Sequence, residues 1–510
     1  MFGRFLKKSA IMLVILMVTF GFSGCNRSAS GQITLYWWRS KFDAPVEILR
    51  KIADKYEQSH SNIKIEIVLP DSEDYDSYKL EAKNALASWK TVQNAPDILS
   101  VRAQDLPEFA TTLYPAPAKL FDSLVKKNER TGDDTNSYVK KLFYPIVSKS
   151  MILVSPQDNK PYVYGLPMAI DTMATYVNTD LFKEAIKNVS RTNSANNQMT
   201  QEQIDAILQH YKKPPKTWKD LVDLIPLATT KTGNDVSIAT IPLGTAENVE
   251  RSYDILQTIM EQNGTTLNSD DYNSATFNLA PSGTASDQSN GLKAFNFYLQ
   301  FANPQSNYYS WNSNMPDSLK AFGEGKSIML AHYASSYSFL VNDYPNIKQS
   351  IDAVNFPQIV DPDNKNNSSK IKTAAQMWAE TATNAKGDSN RQTEAWKFIY
   401  YITSQEGVTN YLKAMQMPSA LKSVEGNSRL EAFNDASAYA DTWYKGSDAT
   451  KVDLIFAQMV SDAQSGKKTP AAALDQAAIA TTKILKSSPF KFVSANNLNA
   501  EQISTSTPGG

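Results

Sequence analysis

Three strand-like runs separated by two helix-like runs open this chain, and that order restricts its architecture more than any other feature. Ile33-Thr-Leu-Tyr-Trp-Trp38 is rich in β-branched and aromatic residues and reads as a strand. In Pro45–Tyr56, Val46, Leu49, Ile52, Ala53 and Tyr56 fall on one helical face, with Pro45 suited to the first turn and Asp43 in place to cap it. Ile63, Ile65, Ile67 and Leu69 alternate with polar residues, as in a half-buried strand. A helical stretch from Tyr75 to Trp89 and a third strand, Pro96–Val101, complete the series. A β-α-β-α-β order calls for a parallel sheet with helices on its faces, so the fold class is α/β.

Length then multiplies the cores. The chain has 510 residues, more than one hydrophobic core serves, so at least two lobes are expected. Its 51 basic and 52 acidic residues balance, which leaves no field to attract nucleic acid or an acidic substrate.

Further along, Pro145–Pro161 reads as a loop or hairpin, and the polar residues Asn188–Gln203 as an exposed insertion. Thr217-x-x-Asp220 marks a helix start for Trp218–Ala228. Residues Thr265–Asn290 are loop-like, and Asp361–Ser369 is a polar linker. The chain turns helical from Gln392, and Thr403-x-x-Glu406 resembles a capping box for a second helix. Thr469-Pro470 opens a helix with Leu474, Ala477, Ala478, Thr481 and Leu485 on one face. Residues 487–510 carry few apolar side chains and read as a loose tail.

The N-terminus reads as an address. Arg4, Lys7 and Lys8 precede the apolar run Ala10–Gly24, the pattern of an export signal. Phe22-Ser23-Gly24-Cys25 resembles a bacterial lipobox, in which the cysteine is diacylated and becomes the mature N-terminus; Phe22 departs from the usual Leu. Residues 1–24 are thus expected to be a lipoprotein signal peptide, Cys25 the lipidation site and 25–32 a tether on the outer face of the cytoplasmic membrane. Two other readings stand beside this one. The run is short of the ~20 residues that an uncleaved anchor needs. An ordinary secretory signal would leave Cys25 incidental.

Catalytic chemistry is not visible. His60, His210 and His332 lie far apart, Cys25 is the one cysteine, and neither a P-loop nor G-x-S-x-G is present. Gly323-Glu-Gly325 lacks the strand-to-helix context of a phosphate loop. No metal or cofactor is expected. The 52 acidic residues leave paired carboxylates for glycoside hydrolysis open.

Four segments, in order, resemble the family 1 extracellular solute-binding proteins of ABC importers, whose best-known members bind maltodextrins and other sugars. They are Tyr164-Gly-Leu-Pro through Asp171-Thr172 to Tyr176-Val-Asn178; Pro214-Pro-Lys-Thr-Trp-Lys-Asp-Leu221; Ala321-Phe-Gly-Glu-Gly-Lys-Ser-Ile-Met329; and Ala395-Trp-Lys-Phe-Ile399 with Ser404-Gln-Glu-Gly407 and Met417-Pro418. The resemblance covers most of residues 33–486. It implies a two-lobed periplasmic-binding-protein-like fold (type II), with ligand held between lobes that close as a hinge. Lobe 1 would comprise 33–170 and 357–415, and lobe 2 171–356 and 416–486. The crossings would fall near Ala169–Ala174, Phe356–Lys372 and Met415–Ser419.

Ligands of open α/β sheets sit beyond the carboxyl ends of strands. That places Trp37, Trp38 and Arg39 at the cleft, with at most one of the two Trp side chains facing it. Arg102, Gln104 and Asp105 follow the third strand; the bland alternative for them is a helix start. By motif position, Asp171 and Thr172 meet ligand at the first hinge. Gly244, Thr245, His332, Tyr333, Tyr337, Trp378 and Trp443 complete the candidate set, with Ala374-Ala375 standing where the family often has Gly-Gly. The resemblance implies a monomeric receptor that binds a small-molecule solute, a mono- or oligosaccharide, and delivers it to an ABC transporter permease. Pyranose faces stack on aromatics while their hydroxyls need polar partners. Two alternatives are kept: the same fold binding a peptide, polyamine or metal chelate, and a surface glycoside hydrolase.

Overall fold

The computed structural model describes residues 31–494 apart from 42, 197, 198, 365 and 367–369, and apart from the side chains of 190–196. The signal segment, Cys25 and nearly all of the tether lie outside the described residues, as do residues 495–510.

Ile33–Trp38 is the axis of the first sheet. It pairs in parallel with Ile63–Val68 on one side and Ile98–Arg102 on the other, so the expected parallel β-α-β-α-β unit forms. Trp378–Thr383 then adds antiparallel to Ile98–Arg102 and carries Leu113–Tyr114 and Leu166–Pro167 on its other edge. The second-first-third strand order puts a topological switch point between the first and third strands, at their carboxyl ends. The helix Val46–Ser59 buries Leu49, Ile52, Ala53 and Tyr56, but Val46 is exposed and no side chain caps the helix. Asp43 instead pairs with Arg39, because a buried guanidinium needs a carboxylate more than a helix end needs a cap.

The second sheet is built around Asp171–Asn178, whose eight residues are all buried. Met329–Tyr333 lies antiparallel on one side; Ile351–Val354 and Thr373–Gln376 share the other. The helices Ser252–Gln262, Asn290–Gln300, Ala449–Gln464 and Pro470–Ser487 pack together beside it.

The chain passes between the sheets three times. The first passage runs from Pro167 to Asp171, and the third from Met415 to Ser419. Ala169 and Ser419 form an antiparallel bridge, and Ile170 N–H donates to Pro418 O at 3.1 Å. The second passage differs from the expectation of Phe356–Lys372. Thr373–Gln376 hydrogen-bonds to Asp171 and Thr172 in the second sheet, and Trp378 already belongs to the first. Met377 alone is therefore the crossing, and the return to the first lobe starts at Trp378 instead of residue 357.

Other elements correct the sequence reading. Pro145 begins a helix, Pro145–Met151, followed by the hairpin Ile152–Val154 and Pro161–Val163. Asn188–Asn196 continues the helix Thr179–Asn196, and Thr200 with Gln203 forms a capping box for Gln201–His210. Ser404, not Thr403, caps Gln405–Met415; the Thr403 hydroxyl donates back to Ile399 O at 2.7 Å. The tail is docked as far as the description reaches: Phe490 and Phe492 are buried, and Lys491–Phe492 pairs with Leu153–Val154. The Thr217 cap and the Pro470 helix start stand as expected.

Candidate functional site

A cavity of about 390 Å3 opens where the first and third strands end, at Arg39-Ser40 and Arg102. All three crossings line it, through Met168 and Ala169, Gln376 and Met377, and Met415 and Met417.

Its floor is an ionic cluster. Arg39 is fully buried and pairs with Glu380 and Asp43, and its guanidinium lies 5.0 Å from the Trp37 ring. Glu380 also accepts from Trp37 Nε1 at 2.8 Å and Ser100 Oγ at 3.1 Å. Burial pushes the Glu380 carboxyl above its ordinary range, against the pull of Arg39 and these donors. One wall is aromatic. Tyr75 and Trp378 meet edge to face at 5.3 Å, and the Arg102 guanidinium lies 4.0 Å from the Tyr75 ring. The Tyr75 hydroxyl donates to Asp105 at 2.7 Å, which fixes the ring. Trp378 and Arg102 are half-buried, so both keep surface for a ligand.

The wall from the second sheet centres on Asp171. Its carboxylate accepts from Ser335 N–H at 3.0 Å, Ser335 Oγ at 2.7 Å and Gln376 Nε2 at 2.9 Å. Burial raises its pKa, and these donors together with His332 oppose the rise. Behind Ser335, His332 Nε2 stands 3.2 Å from Glu250 and Nδ1 2.6 Å from Ser336 Oγ. A narrow gap of about 20 Å3 adjoins the cavity, sharing Arg102, Gln376 and Met377 with it and bringing in Gln104 and Tyr333.

Of the sequence candidates, Arg39, Arg102, Asp171 and Trp378 line the cavity, and Gln104 and Tyr333 line the gap. The others lie elsewhere. Trp37 and Trp38 are both core: Trp37 packs on Phe398, and Trp38 Nε1 donates to Asn94 O at 2.7 Å. Asp105 is turned away, held by Tyr75 and Lys79. Thr172 points to the opposite face of its strand and donates to Phe433 O at 2.6 Å. Gly244 adopts φ +99° against Ala302, where a Cβ would come within 2.6 Å of backbone nitrogen, and Thr245 bonds Asn248; both are internal to the second lobe. His332 sits one residue layer behind the cavity, and Tyr337 is buried in a separate small core. Trp443 packs against Phe277 and Phe456 and covers nothing in the cavity.

Sequence reasoning missed Tyr75, Ser335, Gln376, Glu380 and the methionines. Glu380 carried a signal: a lone carboxylate in the otherwise uncharged strand Trp378-Ala-Glu-Thr-Ala-Thr383 implies a buried partner.

The model of one family, the bacterial extracellular solute-binding proteins, matches residues 51–440, which takes in most of both sheets and all three crossings. The chain belongs to that family. No curated protein matches it in sequence. Solved structures agree on the fold. The sugar-binding protein MalE from Xanthomonas citri superposes with TM-score 0.62 at 15% identity, over 93% of this chain and 100% of that one. The cyclic α-maltosyl-1,6-maltose binding protein from Arthrobacter globiformis gives 0.63 at 17% identity, over 89% and 100%. A solute-binding protein of an ABC transporter from Thermotoga lettingae, bound to α-D-tagatose, gives 0.57 at 19% identity, over 89% and 99%. This solute-binding protein therefore has the two-lobed fold, with its cavity at the switch point where that fold places ligands. The family is one of extracellular binding proteins, so the chemistry to be explained at the cavity is capture.

Proposed function

We propose that this protein captures a carbohydrate in the interlobe cavity and delivers it to an ABC importer, as a receptor tethered through Cys25 to the outer face of the cytoplasmic membrane. The observation that carries the reading is the cavity itself. Its wall offers the half-buried Trp378 ring, backed by Tyr75, to the C–H face of a sugar, beside Arg102 and a polar rim for hydroxyls. The three solved structures cited above are of sugar-binding proteins, which supports the same class of ligand.

Capture works by closure. Two lobes joined at three short crossings rotate as rigid bodies. The Arg39–Glu380–Asp43 cluster holds the floor fixed, so little is spent on ordering it when ligand arrives. Closing buries the aromatic contacts and strengthens each hydrogen bond by excluding water.

A thermal-shift screen over mono- and oligosaccharides tests the reading. A ligand at about 100 times its Kd adds about 2.7 kcal/mol of stability, several degrees of melting temperature. Absence of a shift with every saccharide at millimolar concentration overturns it.

A further inference from the structure

Arg102 is a guanidinium without a carboxylate. It comes from the end of the first lobe's third strand, stacks on Tyr75 at 4.0 Å, and among the described residues has no ion-pair partner. It faces both the 390 Å3 cavity and the narrow gap. Across that gap the second lobe presents two more cations. Arg251 pairs with Asp254, reaches Gln376 at 3.4 Å and covers the rings of Tyr253 and Tyr333, each at 4.9 Å. Lys445 pairs with Asp453 at 2.5 Å and stands 3.7 Å from Asp254. The phenol of Tyr253 feels the charge of both Arg251 and Arg102, one from each lobe.

Two features of this gap ask for an anion. Its lining carries three cations, Arg102, Arg251 and Lys445, and one carboxylate, Asp254, with Asp453 behind Lys445 and Asp105 near Arg102. Arg251 Nε is buried with no hydrogen-bond partner. Arg102 belongs to the first lobe and Arg251 and Lys445 to the second, so an anion bound in the gap would clamp like charges together. A planar guanidinium fork fits a carboxylate through two parallel bonds. The rest of the cavity is lined by Glu73, Asp74 and Asp171 and would repel further negative charge.

We propose that the ligand is an acidic sugar carrying one uronate, whose carboxylate seats between Arg102 and Arg251 while its neutral part lies on Trp378. This rests on the carbohydrate reading above. The test titrates the full-length protein calorimetrically with glucuronate, galacturonate, digalacturonate and glucuronosyl-xylobiose, beside glucose, galactose, maltotriose and xylotriose. At least one acidic sugar should bind more than about tenfold tighter than its neutral counterpart, by the worth of one charge-assisted hydrogen-bond pair. That preference should shrink as salt is raised. Arg102→Ala should lower the affinity for the acidic sugar about 10–100-fold more than that for its neutral counterpart; Arg102→Lys should fall between. The melting temperature of each unliganded variant checks folding. Neutral sugars binding as well as or better than all acidic ones overturns the proposal and leaves the carbohydrate reading standing. Binding of no sugar of either kind overturns both. Equal loss of neutral and acidic affinity in Arg102→Ala also overturns the uronate seat.

Discussion

The two walls of the cavity are built from different materials. The first lobe supplies charge and rings: Arg39 between Glu380 and Asp43, Arg102 on Tyr75, and Trp378 half open. The second lobe supplies Ser335 and Gln376, whose donors already point into Asp171. The first wall is therefore a preformed surface with the Trp378 ring and the Arg102 donors to spare. The second is a network whose donors are already satisfied by Asp171. A rigid wall costs little to organise on binding, whereas groups already bonded to each other must exchange partners to contribute.

The comparison breaks most visibly at Arg39. Arg39→Ala leaves Glu380 and Asp43 as buried, uncompensated carboxylates, and should cost about 3–5 kcal/mol in urea unfolding. A loss below about 1 kcal/mol would show that the first wall does not depend on its ionic floor.

A buried carboxylate in the second lobe should behave in the opposite way. Glu261, at the end of Ser252–Gln262, has its carboxyl pushed up to about 7 by burial and by Asp441, against Lys149 and Lys372. Its Oε2 has no hydrogen-bond partner, unlike the well-bonded Glu380. The folded protein holds a proton that the unfolded chain releases, so the stability this group gives is full below the ordinary carboxylate range. It is lost as pH rises through about 7. Glu261→Gln should then stabilise the protein above neutral pH by up to about 3 kcal/mol, with the gain vanishing near about pH 4. Melting curves at both ends of that range check the sign.

The smallest effects separate the walls in binding. Trp378→Ala should weaken saccharide binding by about 2 kcal/mol, and Ser335→Ala by about 1 kcal/mol or less. Equal losses by calorimetry would mean that the second wall contributes as much as the first.

How far the sequence reached differs by scale. The periodicities at Leu49, Ile52 and Tyr56, and at Leu474, Ala477 and Leu485, located buried helix faces correctly, because such a face repeats within a few residues of its own chain. The Thr217 cap was legible for the same reason. Trp37 and Trp38 were not. Both stand at a strand end beside the cleft, and nothing local says that one ring serves Glu380 and the other the Asn94 carbonyl. Trp443 was equally ambiguous until Phe277 and Phe456 closed on it.

By itself, the sequence determined the α/β class, the parallel opening unit and the family motifs. All of these are carried by neighbouring residues or by fixed short spacings. Tertiary structure alone decided which side chains meet in the cavity. Glu380 reaches Trp37 across 343 residues, and Gln376 reaches Asp171 across 205. Burial and ion pairing depend on everything packed around a residue, so a group's place in the cleft was fixed only when both sheets and the crossings between them had formed.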